Sequence, residues 1–320
     1  MRIGFFILLF IAGSVHAQYP ARAITIVVPY SAGSDADLSA RNLAVHAEKY
    51  LGRHPVVVVN NPGASGAIGS ENVRHVAHDG HTLLLARIAS HVILPALEPK
   101  TSYRWSDFTN IALLEINPYV CVLRRDSPFA GMKELVDEIR KRPGKLNYAT
   151  VGAGTLQSFG PQYLFSMLGL PKDAAIGVPY KGSGDITTAL LGGQVDFACS
   201  NLGALLPHLH AGTLRAAMTT TREPLKELPQ VPTARRLGWP QMESLAAWSA
   251  LAGPPGLPKE VVERWTEVLA KLAQDPDWLA GNEKLGGIPA IRSQAETEAF
   301  VRDQYQFYDQ LARRLGLRQP

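Results

Sequence analysis

Short β-branched runs alternate with amphipathic helical periods along most of this chain, and that alternation restricts it to strands laid side by side and covered by helices. Residues 24–28, 56–59, 82–85, 146–149, 176–178, 195–199 and 214–218 read as buried strands. Between them Ala40, Leu43, Ala44, Ala47 and Leu51 fall at helical spacing and stop at Gly52, and Met132, Leu135, Val136 and Ile139 do the same before Pro143. Leu202, Leu205, Leu206 and Leu209 form a further stripe. Strand and helix in turn, with connections of a few residues, predict α/β architecture with parallel sheet and helices on both faces. The C-terminal part is helical: Pro258 opens a stripe of Val261, Val262, Trp265, Val268, Leu269 and Leu272, and Ser293 with Glu296 forms a capping box before Phe300, Phe307, Tyr308 and Leu311. These helices need a sheet to pack on, and the first half of the chain is assigned to them.

The N-terminus carries Arg2, an apolar run over residues 3–12 and the small-x-small ending Val15-His16-Ala17, the layout of a secretory leader cleaved after Ala17. The apolar run is too short to span a bilayer, which takes about 20 residues. The expectation is an exported chain starting at Gln18, 303 of the 320 residues, a length that suits two lobes. Hydrophobic residues at 46% and charged residues at 19% supply cores without the charge density of disorder. The net charge of +4 is dispersed, which gives no footprint for nucleic acid but tolerates anionic ligands. Cys121 and Cys199 lie far apart in apolar runs. Two buried thiols are the expectation, and a bond between them stays open.

In open α/β sheets ligands sit beyond the carboxyl ends of strands, near helix N-termini. Three loops at strand ends meet that description: residues 30–35, 87–91 and 150–155. The first and third are built of Gly, Ala, Ser and Thr, whose small side chains let backbone N–H groups approach an anion. Glycine turns alone are ordinary punctuation, but two such loops in separate halves of the chain are a stronger signal. Competing chemistries find less support. No G-x-S-x-G nucleophile elbow occurs, nor a Walker A lysine motif, nor a complete G-x-G-x-x-G after a strand. His75, His78 and His81 are spaced by three without a nearby acidic or Cys partner and read as a polar helix end; no metal or cofactor is expected. Trp248 and Tyr180 are set between core packing and a place on the ligand site.

Several of these segments resemble one family. Tyr19-Pro20 through Val27-Val28-Pro29-Tyr30, Asn60-Asn61-Pro62-Gly63-Ala64-Ser65-Gly66, His78-Asp79-Gly80-His81-Thr82 through Leu85, Val178-Pro179-Tyr180-Lys181-Gly182-Ser183-Gly184, Leu191-Gly192-Gly193-Gln194-Val195-Asp196 and Leu228-Pro229-Gln230-Val231-Pro232-Thr233 are similar, in order, to the Bug family of periplasmic receptors of tripartite tricarboxylate transporters. The resemblance implies a type II periplasmic binding protein fold: two Rossmann-like lobes with parallel-rich sheets and a ligand cleft between them. Lobe one would take residues 18–121 and 245–320, and lobe two residues 122–244. It implies a periplasmic, monomeric receptor that captures a small carboxylate by lobe closure and delivers it to the membrane subunits of the transporter. The alternatives are a sensor presenting its bound form to a signalling kinase, and, behind it, an exported hydrolase. Carried over by position, the implied contacts are Tyr30, Ala32, Gly33 and Ser34, then Ser90 and His91, then Thr150, Gly154 and Thr155, with Tyr180 beside them. The chain departs from the family where Ser34 and Asp35 replace common glycines, where Arg87 replaces a small residue and where Ser200 replaces a common Asp. From these departures Asp35 and Arg87 are expected either to pair with each other or to divide between them the opposite charges of a zwitterionic ligand.

Overall fold

The computed structural model describes residues 19–52, 54–152 and 154–318; the leader and its cleavage point lie outside them. The strands are β1 (Ile24–Val28), β2 (Val56–Asn60), β3 (Thr82–Arg87), β4 (Thr109–Asn117), β5 (Tyr119–Arg124), β6 (Asn147–Thr150), β7 (Ile176–Pro179), β8 (Phe197–Asn201), β9 (Leu214–Thr219), β10 (Ala247–Gly253) and β11 (Ile288–Pro289). The helices are α1 (Asp35–Leu51), α2 (Ala67–Arg74), α3 (Leu94–Leu97), α4 (Met132–Lys141), α5 (Leu156–Met167), α6 (Ser183–Leu191), α7 (Leu202–His210), α8 (Lys259–Leu272), α9 (Pro276–Lys284) and α10 (Gln294–Arg314). None of them is long and apolar enough to cross a membrane.

Two sheets result, one six-stranded in the order β11-β4-β10-β3-β1-β2 and one five-stranded in the order β7-β6-β8-β5-β9. The α/β class expected from the alternation is present, but both sheets are mixed. β1, β2 and β3 run parallel, as do β6, β7 and β8, whereas β4, β5 and β10 pair antiparallel with their neighbours. The antiparallel strands are the ones that carry the chain from one sheet to the other. β4 passes into β5 across Pro118 alone, and the return runs from β9 to β10. Thr220 ties the two crossings together: its amide donates to Tyr119 O at 3.0 Å and its hydroxyl to Leu245 O at 2.7 Å.

The central strands bury residues on both faces at period two. In β5, Tyr119, Cys121 and Leu123 face a core shared by the two sheets, while Val120 and Val122 face α6 and α7. In β3, Leu84 and Ala86 join the shared core, while Leu83 and Leu85 meet α1 and α8. β7 is an exception to the expected buried strands, because it lies at a sheet edge with Ile176 exposed. β10 is buried along its whole length although Ala, Ser and Gly make up most of it.

The helix ends follow the local sequence. Ser34 accepts from Asp37 N at the start of α1, and Gly52 closes the helix at φ 89, a left-handed angle that suits glycine. The capping box of Ser293 and Glu296 opens α10 as expected. Lys49 and Tyr50 of α1 both reach the Asp275 carboxylate, which also caps α9; burial is outweighed by these hydrogen bonds, and the group titrates at about 2. α8 and α9 therefore pack on α1, as expected of a C-terminal part that completes the first sheet. α10 does more, since it packs on β4 and also reaches α5 through Tyr308 against Phe159, with ring centroids 5.6 Å apart.

The expectation of two free thiols is overturned: Cys121 and Cys199 sit directly opposite in the β5–β8 pairing and form a disulfide, both buried. Their separation of 78 residues hid a contact that exists because β5 inserts between β8 and β9. Closing so long a loop restricts the unfolded chain, and the double variant Cys121→Ala/Cys199→Ala is expected to lose about 2–4 kcal/mol of stability in urea unfolding. Reductant should lower the midpoint of the wild type and leave that of the double variant where it is.

Candidate functional site

The strand ends of both sheets open onto one cleft of about 860 Å³, a volume suited to a small solute. Helix N-termini from both halves reach it. Residues 30–36 at the head of α1, Thr155 to Gln157 at the head of α5, residues 181–184 at the head of α6, and Asn201 with Gly203 and Ala204 at the head of α7 all line it. Each helix start carries N–H groups without intrahelical partners and the positive end of the helix dipole. Their convergence gives the cleft an affinity for anions without requiring a positively charged side chain at every wall.

The first loop is more tightly organised than its small residues suggested. Buried Asp37 accepts from Gly33 N at 2.9 Å, from Asn60 Nδ2 at 2.9 Å and from Arg41 Nη2 at 2.9 Å. Burial opposes its charge, but these bonds prevail and hold the carboxyl below its usual range. Ser34 N is likewise spent on Ser31 O. The amides of Ser31, Ala32, Asp35 and Ala36 have no partner among the described residues, and they are the donors this loop offers. Gly33, at φ 77, supplies the turn instead of a contact. Burial pushes the Tyr30 hydroxyl above the usual phenol range, and it donates to Ser65 O at 3.3 Å. In the second loop Thr155 donates its hydroxyl to Gly152 O at 2.7 Å and so shapes the entry to α5.

Of the residues expected at the site, Tyr30, Ala32, Gly33, Ser34, Asp35, Arg87 and Thr155 line the cleft. Ser90, His91, Thr150, Gly154 and Tyr180 are not among the lining residues, and their places in the fold explain why. Ser90 and His91 belong to a buried π-helical turn, Ala89–Ile93, behind the cleft. Ser90 accepts the Tyr103 hydroxyl on its carbonyl, and His91 faces Asn110 and packs on Phe108 and Trp248. Thr150 is buried at the end of β6, Gly154 faces Leu97, and the Tyr180 hydroxyl reaches Gln194. Trp248 is a core residue with no exposure. The histidine run does have acidic neighbours, against expectation: His75 is held by Glu71, and His81, 3.4 Å from Asp79, accepts from Ala21 N beside the Tyr19 ring.

Asp35 and Arg87 do not pair. Asp35 accepts from Asn201 Nδ2 at 3.3 Å, across the cleft. Arg87 is buried and meets a different partner, Glu115 on β4, which the sequence reading missed because that strand was missed. Register explains the meeting: Ser249 of β10 sits opposite Arg87 of β3 on one side and opposite Glu115 on the other. Arg87 Nη1 donates to Ser249 Oγ at 2.6 Å and to Asn117 Oδ1 at 3.0 Å. Ser249 Oγ donates onward to Glu115 Oε1 at 2.7 Å, as does Ser39 Oγ from α1. The two charges lie 3.7 Å apart, both nearly inaccessible and both among the cleft-lining residues. A single charge in the apolar run Ile111 to Ile116 was the available signal for Glu115, and the opening Lys181-Gly182-Ser183-Gly184 was the signal for the head of α6.

Two α/β halves, joined by paired crossings and facing each other over a solute-sized cleft walled by helix N-termini, define a solute-binding receptor of the periplasmic binding protein class. The chain belongs to the tripartite tricarboxylate transporter receptor family, whose model matches residues 39–317; its members are solute-binding receptors and not enzymes. It is similar to the protein BugT of Bordetella pertussis, strain Tohama I, with 31% identity over 312 residues, 96% of this chain and 93% of BugT. Its fold matches the periplasmic binding protein BugD at a TM-score of 0.81 and 29% identity, over 94% of this chain and 100% of that one. It also matches MatC of Rhodopseudomonas palustris, solved with bound malate, at a TM-score of 0.80 and 29% identity, over 92% of this chain and 99% of that one.

Two expectations follow from the buried groups. Removing one member of the Arg87–Glu115 pair strands the other, so Arg87→Met or Glu115→Leu alone should cost about 3–5 kcal/mol, and the double variant clearly less than the sum. Urea unfolding of the four chains measures this coupling, and strict additivity would contradict it. Burial pushes the His91 imidazole down to about 4 from 6.5, the Asn110 bond opposing only part of that. The unfolded chain thus takes up a proton that the folded chain refuses, and stability is whole above pH 6.5 and falls progressively toward pH 4. Between pH 7 and pH 5 the wild type should lose more unfolding free energy than His91→Gln.

Proposed function

We propose that this receptor captures a small carboxylate in the periplasm, closes over it, and hands it to the membrane subunits of a tripartite tricarboxylate transporter. The observation that carries the reading is the convergence of the heads of α1, α5, α6 and α7 on one cleft. Donors of this kind hold a carboxylate by fixed dipoles, and donors from both halves engage it fully only when the halves meet. Binding then stabilises the closed arrangement by the difference in affinity between the two states. The malate bound by MatC supports a small organic acid as the ligand class. The lobes would divide near residues 118–121 and again near residue 245, where the crossings run together at Thr220. Within the cleft Tyr30, Ala32, Ser34, Asp35, Arg87 and Thr155 are proposed as contacts, with Gly33 setting the turn and Ser90, His91, Thr150, Gly154 and Tyr180 supporting the walls from behind. The leader, removed after Ala17, would direct the chain across the inner membrane.

Thermal unfolding of the mature chain against dicarboxylates, tricarboxylates, aromatic carboxylates and amino acids tests this. A ligand present at 100 times its Kd adds about 2.7 kcal/mol to the native state, enough to move the midpoint by degrees. Ala32→Trp and Gly184→Trp place a large side chain in the cleft at positions that tolerate it, Ala32 being exposed and a Cβ on Gly184 meeting nothing within 4 Å. Both should fold and lose the shift. No shift in the wild type with any of these acids, or an undiminished shift in both variants, would overturn the reading.

A further inference from the structure

The floor of the cleft carries a pair of opposite charges that anion capture by helix dipoles does not need. Arg87 and Glu115 are each more than nine-tenths buried, a costly place for charge unless it is used or fully satisfied. They are only partly satisfied. Arg87 spends Nη1 on Ser249 and Asn117, while its Nε and Nη2 have no partner among the described residues. Glu115 spends Oε1 on Ser39 and Ser249, while its Oε2 has none. A cation with free donors and a carboxylate with a free acceptor are therefore held side by side on the cleft wall, at fixed spacing, by a serine lodged between them in the strand register.

We infer that Arg87 and Glu115 are the specificity-determining pair of this receptor, and that they select a carboxylate bearing a hydrogen-bond donor, an ammonium or hydroxyl, on the adjacent carbon. The inference rests on the receptor reading and deepens it. A plain carboxylate brought to the pair gains Arg87 but presses its charge against Glu115. An α-amino or α-hydroxy carboxylate gives its oxygen to Arg87 and its donor to Glu115, so both leftover valences are filled and neither charge is left stranded. The far carboxylate of such a ligand remains for the helix heads. The pairing of a neutral floor with a positive rim thus favours a substituted diacid over its parent diacid. Ser249 and Ser39 act as positioning residues, since they hold Glu115 Oε1 and leave Oε2 for the ligand.

Isothermal titration of the mature chain at pH 7 with two matched sets, aspartate, malate and succinate, then glutamate, 2-hydroxyglutarate and glutarate, reads this directly. In at least one set an amino or hydroxy member is expected to bind at least about tenfold tighter than the parent diacid, the discrimination a buried hydrogen bond to a charged group supplies. Glu115→Gln, which keeps the shape, should bring that ratio below about threefold, and Ser249→Ala, which keeps both charges but frees the carboxylate, should narrow it in part. Ser249→Ala decides the matter alone if Glu115→Gln does not fold. Parent diacids binding as tightly as the substituted ones, or a ratio unchanged in the folded variants, overturns the inference and leaves the carboxylate receptor standing. Binding of aromatic acids alone does the same. If no carboxylate of any class binds, the receptor reading falls with it.

Discussion

The structure depends on how the chain crosses between its two sheets. β4 runs into β5 with a single proline between them, and the return enters β10 beside the same point. The Thr220 hydroxyl and amide bind the main chain of both passages, so the crossings are one unit and not two loose links. β5 and β10, the strands entered from the crossing, run against the parallel strands beside them, while β4, antiparallel to β10, keeps the sense of β3. Within each sheet the parallel strands point their carboxyl ends toward the cleft, and α1, α5, α6 and α7, which follow β1, β6, β7 and β8, start there. Anion-binding helix heads on facing walls are thus a consequence of connectivity, and the small residues at positions 31–34 and 182–184 keep those heads accessible.

Polar satisfaction divides the cleft into scaffold and free groups. Asp37 looks from its helix position like a candidate contact, yet it is consumed in shaping the loop around Gly33 and Asn60. The Thr155 hydroxyl is likewise spent on Gly152 O, whereas Ser34 Oγ, which accepts from Asp37 N, keeps its proton to donate. The groups left to the solute include main-chain amides at the helix heads and the outer atoms of two buried charges. Where the network is satisfied, as around Asp37, it is rigid and positions the loop that meets the ligand.

Much of this was legible in the sequence. Seven strands were visible as short apolar runs, most plainly β1 and β2, where Val and Ile follow one another, and α1 with its Gly52 stop followed from the spacing of Ala and Leu. β10 was not visible, because Ala247, Ser249, Ala250 and Gly253 have little strand preference and are placed by packing on both faces. β4 was lost because the run Ile111 to Ile116, broken only by Glu115, carries no alternating period, and the run around Cys121 read as strand-like without being placed in a sheet. Losing β4 and β10 hid Glu115 and Ser249, and with them the partner of Arg87. Ser90 and His91 were placed at the ligand by position along the chain, but the π-helical turn carries them inward, where His91 packs against Trp248. The disulfide needed the order β8-β5-β9, which no local signal encodes.

At Gly203 and Gly286 the halves approach backbone to backbone. A Cβ on Gly286 would lie 2.8 Å from the Gly203 backbone, and one on Gly203 would fall on the Leu285 carbonyl oxygen. A single methyl at either position would act as a wedge and set the aperture wider. How closely the two halves approach is therefore set by two missing groups at the edge as much as by any residue that lines the cleft.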